Sequence, residues 1–300
     1  MKEYAICFTV LRLDTVDIEF AQKLVSDTYD VYICPDELST LDTVGSVQIL
    51  NINESESKDA GFWGSMSYPI CCYRATARDK ALYWFIRKNT SYKHVWFIED
   101  DVLLPQPNVL KFIDTKYPNI DMISEAFRPN LYNNGEDDFE QWETHKGYCP
   151  LPWARSMVCA VRASQKLLQN IGTWAAEQRG KLCFCEILFP TCCLQTGCTS
   201  FAPPQLKTII YRHEWIDSDI RSNPNNIFHP VKDLEKQQDS LKASFEGLLG
   251  VTPSGVEVSW TTVKGRESID SSEVEKLLGF VPKKVGAESQ RLSVKQSGGK

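Results

Sequence analysis

Three consecutive acids, Glu99-Asp100-Asp101, stand between two apolar runs, Val95-Trp96-Phe97-Ile98 before them and Val102-Leu103-Leu104-Pro105 after them. A short apolar run of this kind reads as a buried strand, which puts the acids at a strand end. Side chains alternate along a strand, so Glu99 and Asp101 are predicted on one side and Asp100 on the other. Two carboxylates held on one side repel each other, and a divalent cation resolves that repulsion. Mg²⁺ and Mn²⁺ favour oxygen ligands and commonly take one or two carboxylates together with substrate phosphate oxygens. An isolated acidic triplet reads first as a solvated turn. The apolar residues pressed against both ends of this one argue against full exposure.

Two further segments carry residue types that do chemistry. In Cys183-Phe184-Cys185-Glu186-Ile187-Leu188-Phe189-Pro190 a single carboxylate sits among apolar neighbours. Burial raises a carboxylate pKa towards the working pH, which suits a general base. The same position also suits an acid in the first turn of a helix, favoured by the helix dipole. Glu177 and Asp138 are weaker candidates for a base. The chain has 4 histidines, His94, His145, His213 and His229. His229 lies between Phe228 and Pro230 after an Asn-rich loop, a setting that holds a ring stiffly. An ordinary packed or hydrogen-bonded histidine has the same setting, and His213 beside Glu214 is the competitor of His229 for any site role.

The elements that must position these residues alternate. Tyr4 to Leu11, Val31 to Cys34, Val47 to Ile52 and Val95 to Ile98 read as strands. So do Met122-Ile123, Met157 to Val161 and Thr208 to Tyr211. Asp17 to Val25, Tyr73 to Ile86, Val109 to Ile113, Ser164 to Ile171 and the stretch from Glu186 read as helices. Such alternation predicts a parallel or mixed α/β sheet with helices on its faces, whose ligands bind beyond the carboxyl ends of the strands. Asn130 to Pro150 reads as a long loop, and long loops in compact domains are often functional. The composition shifts near Leu234. Residues 1–238 are therefore read as the catalytic domain and 239–300 as a small C-terminal appendage or partly disordered tail.

The formal net charge is −6 over 300 residues, with no block of Lys and Arg, which argues against nucleic acid as a partner. No run of apolar residues is long enough to span a bilayer, and the first residues read as a strand rather than a signal peptide. The expectation is a cytoplasmic or otherwise soluble protein. The 11 cysteines do not show the paired spacing of a structural zinc site and are expected to be reduced, partly buried thiols.

VWFIEDDVLLP resembles the DxD-type motif of GT-A-fold glycosyltransferases, in an E-D-D form. The upstream YRATARDKALYWF is similar to the helix that precedes this motif in N-acetylglucosaminyltransferase-like enzymes. The resemblance is specific over residues 73–105 and looser over 1–235. It implies a GT-A-like, Rossmann-type mixed sheet and a transferase that moves a sugar from a UDP- or GDP-sugar with Mn²⁺ or Mg²⁺. The acceptor would be a glycan, a glycoprotein or a small molecule, and the product would serve glycan biosynthesis. By resemblance Asp101 binds the metal, and Glu99 sits near the ribose or a metal-bound water. Asp100 lies beside the donor sugar or ribose. Arg12 meets the nucleotide, Asp36 the base or ribose, and Arg78 and Lys80 the diphosphate. His229 reaches the metal or diphosphate and Lys232 a phosphate. Glu186 is the base of an inverting reaction. The aromatic stretch Trp142 to Arg155, with Tyr148 and Trp153, would line the acceptor site, because aromatic faces pack on sugar rings.

Two other functions use similar parts. A metal-dependent nucleotidyltransferase would carry a Gly-rich loop after the first strand, and Arg12-Leu13-Asp14-Thr15 has no glycine. A non-catalytic nucleotide-sugar or carbohydrate-binding protein would not need the acid triplet together with Glu186 and His229.

Overall fold

The computed structural model of the protein describes residues 2–66, 73–131, 139, 141–142, 150–177 and 181–231. Its centre is an eight-stranded mixed sheet. The strands are β1 (Tyr4–Val10), β2 (Tyr29–Pro35), β3 (Thr43–Val44), β4 (Val47–Ile49), β5 (His94–Glu99), β6 (Met122–Ile123), β9 (Ala160–Ser164) and β10 (Ser200–Phe201). Between β6 and β9 in the chain, β7 (Arg128–Asn130) and β8 (Trp153–Arg155) form a separate two-stranded ribbon. The order across the large sheet is β10-β6-β9-β5-β1-β2-β4-β3. β5, β1, β2 and β4 run parallel, and β9 enters antiparallel to both β5 and β6.

The two central strands are apolar apart from Thr9, His94 and Glu99, because both sheet faces are covered. Val95, Trp96, Phe97 and Ile98 are fully buried. Alternation divides them. Cys7, Val95 and Phe97 enter one core, while Ile6, Phe8, Trp96 and Ile98 enter the other. The first core is shared with α3 (Ala77–Tyr83), the π-helical turn Trp84–Lys88 that continues it, α5 (Gln165–Glu177) and α6 (Cys185–Gln195). The second is shared with α1 (Thr15–Leu24) and α4 (Val109–Lys116). Each large apolar side chain so buried contributes roughly 1.5–3 kcal/mol. The short helices α2 (Glu54–Asp59) and α7 (Asp217–Ser222) lie outside this scheme. At Gly172 on α5 a Cβ would stand 2.5 Å from Ile86 Cγ2, so the missing side chain is what lets α5 close on the π-turn.

Several elements differ from the sequence reading. The helix expected from Tyr73 starts at Ala77, where Asp79 accepts hydrogen bonds from Thr76 N and Thr76 Oγ1, both at 2.9 Å. The strand expected at Met157–Val161 runs three residues later, because the pairing with β5 and β6 takes up Ala160–Ser164. The strand expected to reach Ile52 stops at Ile49. Thr208–Tyr211 forms no strand, only a bridge between Ile209 and His229, since the Thr208 hydroxyl donates to Ile227 O at 2.6 Å and the chain then turns. Among the described residues no helix is long and apolar enough to cross a membrane. Residues 239–300, Lys232, Asp138, His145 and Tyr148 lie outside the described residues.

The chain leaves β1 towards β2 and β4, then returns to β5 on the other side of β1. That reversal opens a crevice beyond the carboxyl ends of β1 and β5, where open α/β sheets bind ligands. Thr9 pairs with Glu99 at the rim of this crevice.

Candidate active site

Glu99 is the last residue of β5, and Val102 N donates back to Glu99 O at 3.2 Å. Asp100 and Asp101 therefore lie in a turn, and the predicted strand alternation stops at Glu99. The three acids still diverge. Asp100 turns towards the end of β1, where its carboxylate accepts from the Leu11 backbone. Burial raises the Asp100 pKa, and the neighbouring Asp101 charge adds to the rise. Asp101 turns the other way, and its Oδ1 stands 3.2 Å from His229 Nε2.

His229 is brought there by a backbone zipper. Leu103 and Phe228 exchange hydrogen bonds at 2.9 and 3.0 Å, and Val231 N donates to Asp101 O at 2.8 Å. On the other side Ile210 N and Trp215 Nε1 donate to His229 O at 3.1 and 3.0 Å. The ring is buried, and its Nδ1 has no hydrogen-bond partner among the described residues. His213 is exposed, packed edge-on against Trp215 with ring centroids 4.2 Å apart, and is not brought to the acids.

Glu186 lies in the first turn of α6, whose start is pinned by Cys185 N donating to Ser65 O at 2.7 Å. Its pKa is pushed up to about 7, chiefly by burial and next by the charge of Glu99, against the pull of Arg155 and His229. Ser156 N donates to Glu186 O at 3.0 Å, three residues before Cys159, whose carbonyl accepts from Glu99 N, so the start of α6 stands by the acid turn. Glu177 is exposed at the end of α5.

The remaining sequence candidates have partners in the fold. Arg78 is 2% exposed and donates to Glu99 Oε1 and Val158 O, each at 3.0 Å. Lys80 is equally buried and donates to Asp36 O at 2.6 Å. The Asp36 carboxylate accepts from Ala77 N at the start of α3. Burial raises its pKa, opposed by that hydrogen bond and by Lys80. Arg78 and Lys80, expected to face a diphosphate, are thus already paired, and Asp36 ties β2 to α3. Arg12 is exposed and pairs with Glu37 at 2.9 Å.

Arg12 and Glu37 stand at the edge of a cleft of roughly 400 Å³ that Thr15, Ile18, Leu38 and Leu41 also line. Between cleft and acid turn lies Asp17, whose pKa is raised to about 7 by burial, then by Asp14 and Asp100. Asp14, Asp17 and the triplet make this end of the crevice strongly negative. An anionic ligand needs added positive charge there.

Sequence reasoning missed Cys159, and gave Arg155 no role beyond ending the stretch expected at the acceptor site. Arg155 faces Glu186 electrostatically from β8. Cys159 lies beside Glu99, where Glu99 N donates to Cys159 O at 2.8 Å. The residue spacing along the chain held no signal for either, because Cys159 meets Glu99 only across paired strands and Arg155 meets Glu186 only through the packing of β8 on α6.

No protein-family model and no curated protein matches the chain. Solved structures do match in shape. An active-site mutant of LgtC is 11% identical, with 83% of this chain and 97% of that chain covered and a TM-score of 0.43. Glucosyl-3-phosphoglycerate synthase from Mycobacterium tuberculosis, in complex with Mn²⁺, UDP-glucose and phosphoglyceric acid, is 14% identical over 86% and 83% with a TM-score of 0.35. The mannosyltransferase Ktr4p from S. cerevisiae is 12% identical over 60% and 61% with a TM-score of 0.30.

Proposed function

We propose that this chain is a divalent-metal-dependent glycosyltransferase acting on a nucleotide-diphosphate sugar. The observation that carries the reading is a convergence. Glu99 and His229 meet at the β1/β5 crevice, with Asp101 against His229 and a carboxyl group, Glu186, held near neutrality by burial.

The donor set fits a cation. Carboxylates of Glu99 and Asp101 flank a buried imidazole that has one nitrogen without a partner among the described residues. When bound, Mn²⁺ or Mg²⁺ supplies positive charge to the departing diphosphate. Arg78 orients Glu99 through its 3.0 Å contact. The cleft by Arg12 receives the nucleotide, with Leu38 and Leu41 offering apolar surface to a base. Asp100 lies between that cleft and the metal ligands, the position for a ribose or donor-sugar hydroxyl. By resemblance Lys232 is the residue read as meeting a phosphate.

Glu186 takes the proton of the acceptor hydroxyl as that oxygen attacks the anomeric carbon. The bond from that carbon to the diphosphate oxygen breaks with its electron pair. A single displacement of this kind inverts the anomeric configuration. The acceptor, a glycan, glycoprotein or small molecule, meets Glu186 at the crevice; Trp142 and Trp153, expected to line the acceptor site, are instead buried in the core and stacked on each other. Residues 1–238 are read as the catalytic domain and 239–300 as a small C-terminal appendage or partly disordered tail. Thermal denaturation with a panel of UDP- and GDP-sugars, with and without Mn²⁺, tests the reading. Stabilisation by a nucleotide sugar only when metal is present is expected, and no response to any donor overturns it.

A further inference from the structure

The antiparallel ladder of β5 and β9 continues one pair beyond β9, where Glu99 N donates to Cys159 O. That pairing sets the two side chains side by side at the crevice. A Glu99 carboxylate oxygen, Cys159 Sγ and a His229 ring nitrogen all lie within 4.8 Å of one another. Cys159 is 6% exposed and His229 8%. Asp101 Oδ1 lies 3.2 Å from His229 Nε2, at the edge of this set. Arg78 fixes Glu99 from behind, and the backbone zipper fixes His229.

These donors are chemically mixed. Mg²⁺ selects oxygen and is indifferent to sulfur. A thiolate set with imidazole and carboxylate suits Zn²⁺ and its spectroscopic substitute Co²⁺. We propose that Cys159 is a thiolate ligand of the cation held by Glu99, Asp101 and His229, and that this centre selects Zn²⁺ or Co²⁺ over Mg²⁺. This assignment rests on the metal-centre reading above. The thiol proton leaves to solvent as the metal–sulfur bond forms, so no oxidant takes part.

Co²⁺ titration of the full chain, followed by optical absorption, tests it. A sulfur-to-cobalt charge-transfer band in the near ultraviolet should saturate at one equivalent and disappear on adding Zn²⁺, but not on adding excess Mg²⁺. Cys159→Ser should abolish the band and weaken Co²⁺ binding by at least about tenfold, the loss typical even of an outer partner of a ligand. Cadmium NMR on the unaltered protein reads sulfur ligation without any variant, which covers a Cys159→Ser chain that fails to fold. Co²⁺ bound without a charge-transfer band, a band that survives Cys159→Ser, or a cadmium resonance lacking a sulfur shift would overturn the thiolate ligand and leave the metal centre standing. No Co²⁺ bound at all would overturn both.

Discussion

His229 Nε2 stands 3.2 Å from Asp101 Oδ1, yet the two residues come from remote parts of the chain and meet only because residues 101–103 pair with 228–231. The shortlist of two histidines is thereby reduced by geometry. One reaches the acids and the other packs on Trp215 at the surface.

Loss of that pair should separate the two histidines in solution. Asp101→Ala and His229→Ala should each weaken Mn²⁺-dependent nucleotide-sugar binding, while His213→Ala leaves it unchanged. Calorimetric titration of donor with metal present reads the difference. Equal loss in both histidine variants, or loss only in His213→Ala, would reverse the assignment.

Glu186 is predicted to act after donor binding. Glu186→Gln keeps the shape and removes the base, so turnover should fall by a factor of ~10² to 10⁴ with donor affinity nearly intact. The product anomer should be opposite to that of the donor by NMR. A retained configuration or ordinary turnover would remove Glu186 from the mechanism.

The same carboxyl sets a pH dependence of stability. Its folded pKa, about 7, lies above the ordinary value of 4.5, so the folded state holds the proton more tightly than the unfolded state. The folded state therefore has no disadvantage below pH 4.5. Stability is lost as pH rises from there to about 7, and the loss is complete above it. Glu186→Gln removes this titration. The metal-free variant should exceed the parent by on the order of 2 kcal/mol above pH 7, with the gain vanishing towards pH 4.5. Denaturant unfolding across that range measures it, and a constant difference would contradict the assignment.

The α5 contact makes a prediction about the frame alone. Gly172→Ala places a methyl 2.5 Å from the stiff, branched Ile86 side chain. Overpacking of this kind costs about 1–3 kcal/mol, against a helix-propensity gain of about 1 kcal/mol. The net change should be destabilising, and Ile86→Ala in the same chain should make the added methyl harmless. A lone Gly172→Ala that raises the melting temperature would show that the helices can move apart.

The sequence alone was enough to identify the central strands and the acids at their carboxyl end. Tyr4–Val10 and His94–Glu99 carry apolar runs because both sheet faces are covered, and a continuous apolar run survives in one dimension. Glu99 to Asp101 followed such a run, and Glu186 stood out as a lone charge among apolar residues, so both were legible as chemistry. Thr208 to Tyr211 was misread, because apolar residues of a strand-like run can equally be buried by a single bridge and a turn. Only the tertiary structure decided what Arg78 and Lys80 do. Along the chain they look like surface charges of a helix, and burial is tolerable only because Glu99, Val158 and Asp36 arrive from other elements to accept their hydrogen bonds. The same holds for Cys159 and for the choice of His229. A cross-strand neighbour and a long-range zipper leave no periodicity in sequence, since what sets them is strand order and register rather than local spacing.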